Sequence, residues 1–205
     1  MEKLLAVKGH PMTSEESMSL KGFDAFIEAY KAANPQAQVE VLDIYEADIP
    51  ELDKDILTAW NELQAGTDFS ALTAAQQDKL SRFNASTEQF LAADKVVIVN
   101  PMWNLMIPAR LKAWVDTTMV AGKTFKYTAE GPVGLLDGKK VLHLQANGGV
   151  YNGQDAGAQY VKGIMEFMGA QVEHLAVEGH AQDASKAGEL ADEFVAKAKA
   201  LGASF

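Results

Sequence analysis

The sequence predicts an α/β protein: a doubly wound, five-stranded parallel sheet with helices on both faces. Three observations predict it. Short β-branched runs alternate along the chain with longer stretches whose apolar residues recur every three or four positions. Strands alternating with helices imply a mostly parallel sheet covered on both sides. The run Lys95-Val96-Val97-Ile98-Val99 is too short and too branched for a good helix and reads as a buried strand. Finally, 205 residues are enough for one domain with a real core and few for two.

Each element follows from local pattern. Residues 3–8 form the first strand candidate. Leu20, Phe23, Ile27 and Tyr30 then line one face of a helix that Asn34-Pro35 ends. Residues 38–44 read as the second strand. Residues 45–72 exceed a minimal strand–helix unit; they carry Pro50 and Gly66, with a helix at 51–64, and read as an insertion. Thr73 is placed to cap a helix over 73–92, in which Leu80, Phe83, Phe90 and Leu91 supply apolar positions. The third strand is 95–100. Pro108 suits the first turn of the next helix, with Leu111, Trp114, Val115 and Met119 following and Gly122 as its stop. Strands at 140–146 and 172–178 come next, then a helix carrying Leu190, Phe194, Val195, Ala198 and Leu201. Five strands in this length suit the order 2-1-3-4-5. No repeat or domain boundary interrupts residues 1–205.

Composition narrows the function. Hydrophobic residues make up 48% and charged residues 22%, as in ordinary globular proteins. No apolar run reaches the roughly 20 residues of a membrane helix, and Lys3–Lys8 reads as a strand, not a targeting segment. The absence of cysteine excludes disulfides, thiolate catalysis and Cys-ligated clusters, and fits a cytoplasmic protein. A net charge of −10 argues against nucleic acid as a partner, because counterion release needs cations facing phosphate.

Three segments sit where ligands bind in such sheets, outside the carboxyl ends of strands. After the first strand, Ser17-Met18-Ser19 opens a helix whose free N–H groups and dipole favour an anion. The same Ser17 also suits a plain N-cap. After the third strand, Met102-Trp103-Asn104-Leu105 combines an apolar ring-friendly pair with one amide, which suits a planar aromatic ligand with a polar edge. After the fourth strand, Ala146-Asn147-Gly148-Gly149 lets backbone N–H groups approach a ligand closely. A tight turn explains paired glycines equally well. Neither a dinucleotide G-x-G-x-x-G nor a P-loop is present.

With these segments in view, the chain resembles the FMN-dependent NADH-azoreductase family, also described as NADH:quinone oxidoreductases. The likeness runs through Pro101–Leu105, Ala121–Tyr127, Glu130–Leu135 and Gly148-Gly149. The resemblance implies a flavodoxin-like homodimer with FMN at two interfacial sites. It assigns Ser17, Met18 and Ser19 to the phosphate, Met102, Trp103, Asn104 and Leu105 to the ring, and Ala146, Asn147, Gly148 and Gly149 to a second flavin loop. It sets Phe125 and Tyr127 near the neighbouring subunit's flavin, where substrates stack. It implies ping-pong transfer of hydride from NADH and of two electrons to a quinone or azo compound, with no catalytic side chain and no metal. Two positions depart from the family: His10 where Ser is frequent, and Asn147 where Arg is frequent. Asn147 would replace a fixed charge near the flavin by a neutral amide.

A flavodoxin-type electron carrier also fits the acidity, although the 45–72 insertion and the Thr124–Tyr127 segment add walls that a carrier would leave open. A flavin-free interaction module of the same fold is the non-enzymatic reading. His143 and His174 fall inside strands and read as core histidines; Trp60 and Trp114 read as packing residues or dimer contacts.

Overall fold

The computed structural model describes residues 1–205. In chain order the elements are β1 (Lys3–Lys8), α1 (Met18–Ala33), β2 (Gln38–Asp43), α2 (Lys54–Gln64), α3 (Ala74–Ala92), β3 (Lys95–Pro101), α4 (Ala109–Thr118), β4 (Phe125–Thr128), β5 (Gly131–Gly134), β6 (Lys140–Asn147), α5 (Ala156–Phe167), β7 (Gln171–Glu178) and α6 (Ala187–Ser204). The main sheet runs β2-β1-β3-β6-β7 with every neighbour parallel. Counted within that sheet, the order is the expected 2-1-3-4-5.

Alternation along each strand divides the core in two. Leu4, Ala6, Val97, Val99, Leu142 and Leu144 point to one face, where α1 and α6 bring Phe23, Phe26, Tyr30 and Phe194. Leu5, Val7, Val96, Ile98 and Val141 point to the other, under Phe90, Leu111, Trp114, Val161 and Met165 of α3, α4 and α5. The α1–α6 contact is close enough to need glycine. A Cβ at Gly202 would lie 2.3 Å from the Phe26 carbonyl oxygen, and one at Gly22 would lie 2.1 Å from the Phe194 ring.

Caps explain several boundaries. Asn34 closes α1 by donating its N–H to Tyr30 O at 2.8 Å. Thr73 and Gln76 form a reciprocal capping box at the start of α3. Residues 45–72 carry α2, which packs against α3 over a small core of Ala59, Leu72 and Leu80. Lys79 of α3 pairs with Asp53 and Asp55 at the start of α2.

Three expectations are corrected or extended. The helix begun after Pro108 ends at Thr118, and Gly122 is not its stop. Thr124 Oγ1 donates to Thr118 O at 2.7 Å and closes the helix end early, while Gly122 (φ +83°) sits in a later turn. The β4–β5 hairpin was not among the elements read from the sequence, because Gly-Pro-Val-Gly is a poor strand former whose pairing tertiary context decides. Helix α5 was also missed; it starts behind a turn at Asn152-Gly153, and Asp155 caps it by accepting the Ala158 N–H at 2.8 Å.

Candidate functional site

The carboxyl ends of β1, β3, β6 and β7 meet at one end of the sheet. The loop after β1 begins at Gly9, whose N–H donates to Val99 O at 2.7 Å. A Cβ there would sit 2.6 Å from the same oxygen, so glycine lets this loop lie against β3. His10 is buried, accepts the Met12 N–H on Nδ1 at 3.0 Å and meets the Trp103 ring edge-on at 5.5 Å. Burial, then the Lys8 charge, holds its pKa below the ordinary histidine value, against an opposing pull from Glu16. Ser17 is the N-cap of α1; its Oγ accepts the Leu20 N–H at 3.5 Å and shares a 3.0 Å bond with Ser19 Oγ. The capping role is therefore present, beside a second buried hydroxyl at the helix start. Met18 lies between them, half-buried. The first-turn N–H groups of Met18 and Ser19 have no intrahelical acceptor. Glu16 is turned back onto Thr13, accepting its hydroxyl at 3.2 Å.

The loop after β3 is joined to the end of β6 by Met102 N–H donating to Ala146 O at 2.9 Å. Trp103 and Met106 exchange two backbone bonds, of 2.9 and 3.1 Å. The residues between them, Asn104 (φ 51°) and Leu105 (φ 65°), are both left-handed, the geometry of a mirror-image two-residue turn. Such turns ordinarily take Asn-Gly; a leucine in this region stores strain of about 1–2 kcal/mol. The turn leaves the N–H groups of Asn104 and Leu105 unpaired and projects Leu105, 60% exposed, beside Trp103, 42% exposed. Of the four residues read from this loop, the amides of Met102 and Trp103 are thus already committed.

The loop after β6 is held by the Glu178–Ala181 segment, a clamp that the sequence reading did not foresee. The carbonyls of Asn147 and Gly149 both accept the Gly179 N–H, at 3.1 and 3.0 Å, and Gly148 O accepts the Ala181 N–H at 3.1 Å. The amides of Gly148, Gly149 and Val150 remain unpaired. Glu178 accepts the N–H groups of Tyr151 and Asn152 at 3.1 and 2.8 Å. A carboxylate at a strand end, followed by glycine, was the available signal for this clamp.

Beneath these loops lies a polar cluster on the α5 side of the sheet. Asn147 is completely buried; its Nδ2 donates to Asp155 at 3.3 Å and Glu178 at 3.0 Å, and its Oδ1 accepts from Gln145 at 2.6 Å. Its amide is therefore spent inside the protein and does not address a ligand, contrary to the expectation of a neutral group in the pocket. Asn100 Nδ2 donates to Pro101 O at 3.0 Å, so its Oδ1 faces His143 Nε2 as acceptor at 2.7 Å. His143 consequently carries its proton on Nε2, and His174 Nδ1 donates across the 3.2 Å gap to His143 Nδ1. Burial pushes both pKa values down, for His143 strongly; a nearby Asp155 and Glu178 oppose it at His174. His143 is the hydrogen-bonded core histidine expected.

Phe125 and Tyr127 are not brought to this end. Both lie on β4; Phe125 is buried against Phe167 at the far end of α5, 5.2 Å between ring centroids, whereas Tyr127 is 75% exposed. The 12 residues of α5 separate them from Asp155, a length of about 18 Å. No group of three or more His, Asp or Glu side chains is placed to hold a metal ion, and no helix is long and apolar enough to cross a membrane.

A family model described as flavodoxin-like fold matches residues 2–201. The chain is 44% identical to the FMN-dependent NADH:quinone oxidoreductase of Streptococcus suis (strain 98HAH33), with 96% of each chain covered. It is 44% identical to the protein of the same name from Bacillus pumilus (strain SAFR-032), with 100% of each covered. Among solved structures, an azoreductase from Bacillus anthracis str. Sterne superposes with a TM-score of 0.93 at 37% identity over 100% of both chains. An FMN-dependent NADH-azoreductase from Bacillus anthracis str. Ames Ancestor, in complex with FMN, gives 0.88 at 33% identity, covering 98% of this chain and 100% of the other.

Proposed function

The chain belongs to the flavodoxin-like family of FMN-dependent NADH:quinone oxidoreductases, and from that premise we propose how its own residues carry out electron transfer from NADH to quinones or azo compounds. FMN, when bound, would supply the hydride and electron chemistry that links NADH to the acceptor. The chain's part is to bind, orient and tune. The observation that carries this reading is the set of unpaired donors on three adjoining loops: two at the start of α1, two in the Asn104-Leu105 turn and three over Gly148–Val150. That set fits a ligand with an anionic tail and a planar ring bearing acceptors.

In this reading Ser17, Ser19 and the amides of Met18 and Ser19 hold the phosphate. Met102, Trp103, Asn104 and Leu105 flank the ring, with Trp103 offering an aromatic surface and Asn104 and Leu105 offering amides. Ala146, Asn147, Gly148 and Gly149 form the other loop; the free amides of Gly148 and Gly149 would stabilise negative charge on the reduced ring, while the Asn147 side chain anchors the loop from beneath. His10, with Nδ1 occupied by Met12, keeps Nε2–H as its donor beside the phosphate-binding turn. NADH and the acceptor occupy the same face in turn, which makes the kinetics ping-pong. Phe125 and Tyr127, remote from the crevice of their own chain, complete the site of a second copy in a homodimer. The exposure of Tyr127, Val133 and Leu135 supports that pairing. We place the enzyme, as one domain with the 45–72 insertion, in the cytoplasm, where NADH is available.

The test is anaerobic mixing of NADH with protein reconstituted with FMN. Rapid bleaching of the visible flavin band is expected, followed by recovery on adding a quinone, with parallel double-reciprocal lines in steady state. Protein that takes up no FMN overturns the reading; protein that holds FMN but is reduced by NADH only slowly is a carrier instead.

A further inference from the structure

The loop between β6 and α5 carries three glycines, Gly148, Gly149 and Gly153, and two consecutive left-handed residues, Asn152 (φ 53°) and Gly153 (φ 70°). Such a chain has many conformations open to it. Its hydrogen bonds nevertheless fix the direction of its first five residues. The carbonyls of residues 147–149 are turned toward the N–H groups of Gly179 and Ala181. In a trans peptide the following N–H points the opposite way. The amides of Gly148, Gly149 and Val150 are therefore aimed away from the 179–181 segment, and all three are free.

One side chain closes this arrangement at both ends. Glu178 Oε1 accepts from Asn147 Nδ2 at the loop's start, at 3.0 Å. Glu178 Oε2 accepts from the amides of Tyr151 and Asn152 at its far side, at 3.1 and 2.8 Å. No cation pairs with Glu178, so the carboxylate's partners are these three N–H donors. Bonds to an ionised acceptor are the strong kind. Gly179, beside it, has a left-handed φ of 79°, and a Cβ there would meet Val150 at 3.0 Å, so the clamp and the loop are fitted to each other.

We propose that Glu178 is a positioning residue, fixing the direction of the free amides of Gly148, Gly149 and Val150 and so the affinity and potential of the flavin they address. The inference rests on the FMN reading above. It gives Glu178 a role without contact to the flavin.

Amide hydrogen exchange, FMN titration and redox potentiometry test it on the full-length protein with Glu178→Gln and Glu178→Asp. In the FMN-free wild type, Tyr151 and Asn152 exchange slowly and residues 148–150 quickly; FMN then protects residues 148–150. In Glu178→Gln the protection at 151 and 152 is lost and the FMN dissociation constant rises roughly tenfold, the scale of losing one or two bonds to a charged acceptor. The potential of the bound flavin moves more negative in both variants, because misdirected amides no longer stabilise charge on the reduced form. Removing a negative charge alone would move the potential of Glu178→Gln positive and leave that of Glu178→Asp unchanged; that pattern overturns the proposal. So does FMN affinity and potential unchanged in both variants. Should Glu178→Gln fail to fold, Glu178→Asp and the wild-type exchange pattern decide, and residues 151 and 152 exchanging as fast as 148–150 defeats the idea. A wild type that binds no FMN overturns the functional reading instead.

Discussion

The two faces of the sheet are built on different principles. Against α1 and α6 the packing is apolar and close, with Phe23, Phe26, Tyr30 and Phe194 interlocked around glycines that admit no side chain. Against α4 and α5, apolar packing around Trp114 gives way toward the strand ends to Asn100, His143, Gln145, Asn147 and Asp155, all buried and hydrogen-bonded. Burying such groups is costly unless each finds a partner. The first face holds the fold together through dispersion and desolvation. The second holds the loops, because each side chain of the cluster bonds a backbone group or a neighbour that does, although Gln145 Oε1 has no partner. Stability and site geometry are therefore separable by mutation.

The strongest way to break that separation is Phe26→Ala. Phe26 is wholly buried, stacks on Tyr30 and meets Phe205 edge-on. Its truncation is expected to lower unfolding free energy by about 3–5 kcal/mol, read from urea melts. FMN affinity of the folded fraction should stay within about twofold; a large loss of affinity would show that the two faces are coupled.

Acid sharpens the comparison from the other side. The His143–His174 pair has room for one proton between its Nδ1 atoms, so a second is excluded, and burial lowers both folded pKa values. The unfolded value is about 6.5. Above it both states are neutral and the stability is fully present. As pH falls below it, the unfolded chain binds protons that the folded chain refuses, and stability is lost. The slope is expected to reach about 1.4 kcal/mol per pH unit for each such histidine. His143→Gln should flatten the decline of Tm between pH 6.5 and pH 5; an undiminished slope would place the acid lability elsewhere.

The smallest effect belongs to the loop surface. Trp103→Ala removes a half-exposed ring from beside His10. About 1 kcal/mol of stacking is expected to go, raising the FMN dissociation constant roughly fivefold. The urea midpoint and the parallel kinetic pattern should not change; converging lines would show that the ring does more than flank the flavin.

Legibility followed locality. The strand runs, the Thr73 cap and the Leu20–Tyr30 stripe were readable because neighbours in sequence create them. The β4–β5 hairpin was not, since its pairing depends on Leu136 N–H reaching Met168 O and on Phe125 packing on Phe167. Three loops with free backbone donors were readable from composition at strand ends. The clamp from Glu178 to Tyr151 was not, because the partners are 27 positions apart in the chain. The amide of Asn147 reads as a neutral group near the flavin and proves to be a buried junction for the same reason.

By itself, then, the sequence determined the alternation of elements, the strand order it suits and the loops that gather at the strand ends, since period, branching and turn residues act over a few positions. Tertiary structure alone decided which donors those loops leave free. It turned the carbonyls of residues 147–149 onto Gly179 and Ala181 and committed the amides of Met102 and Trp103. It also set Phe125 and Tyr127 at the opposite end of α5 from the crevice. A hydrogen bond is claimed by whichever partner the fold brings within reach, and that choice is written in distances between strands and not in the order of residues.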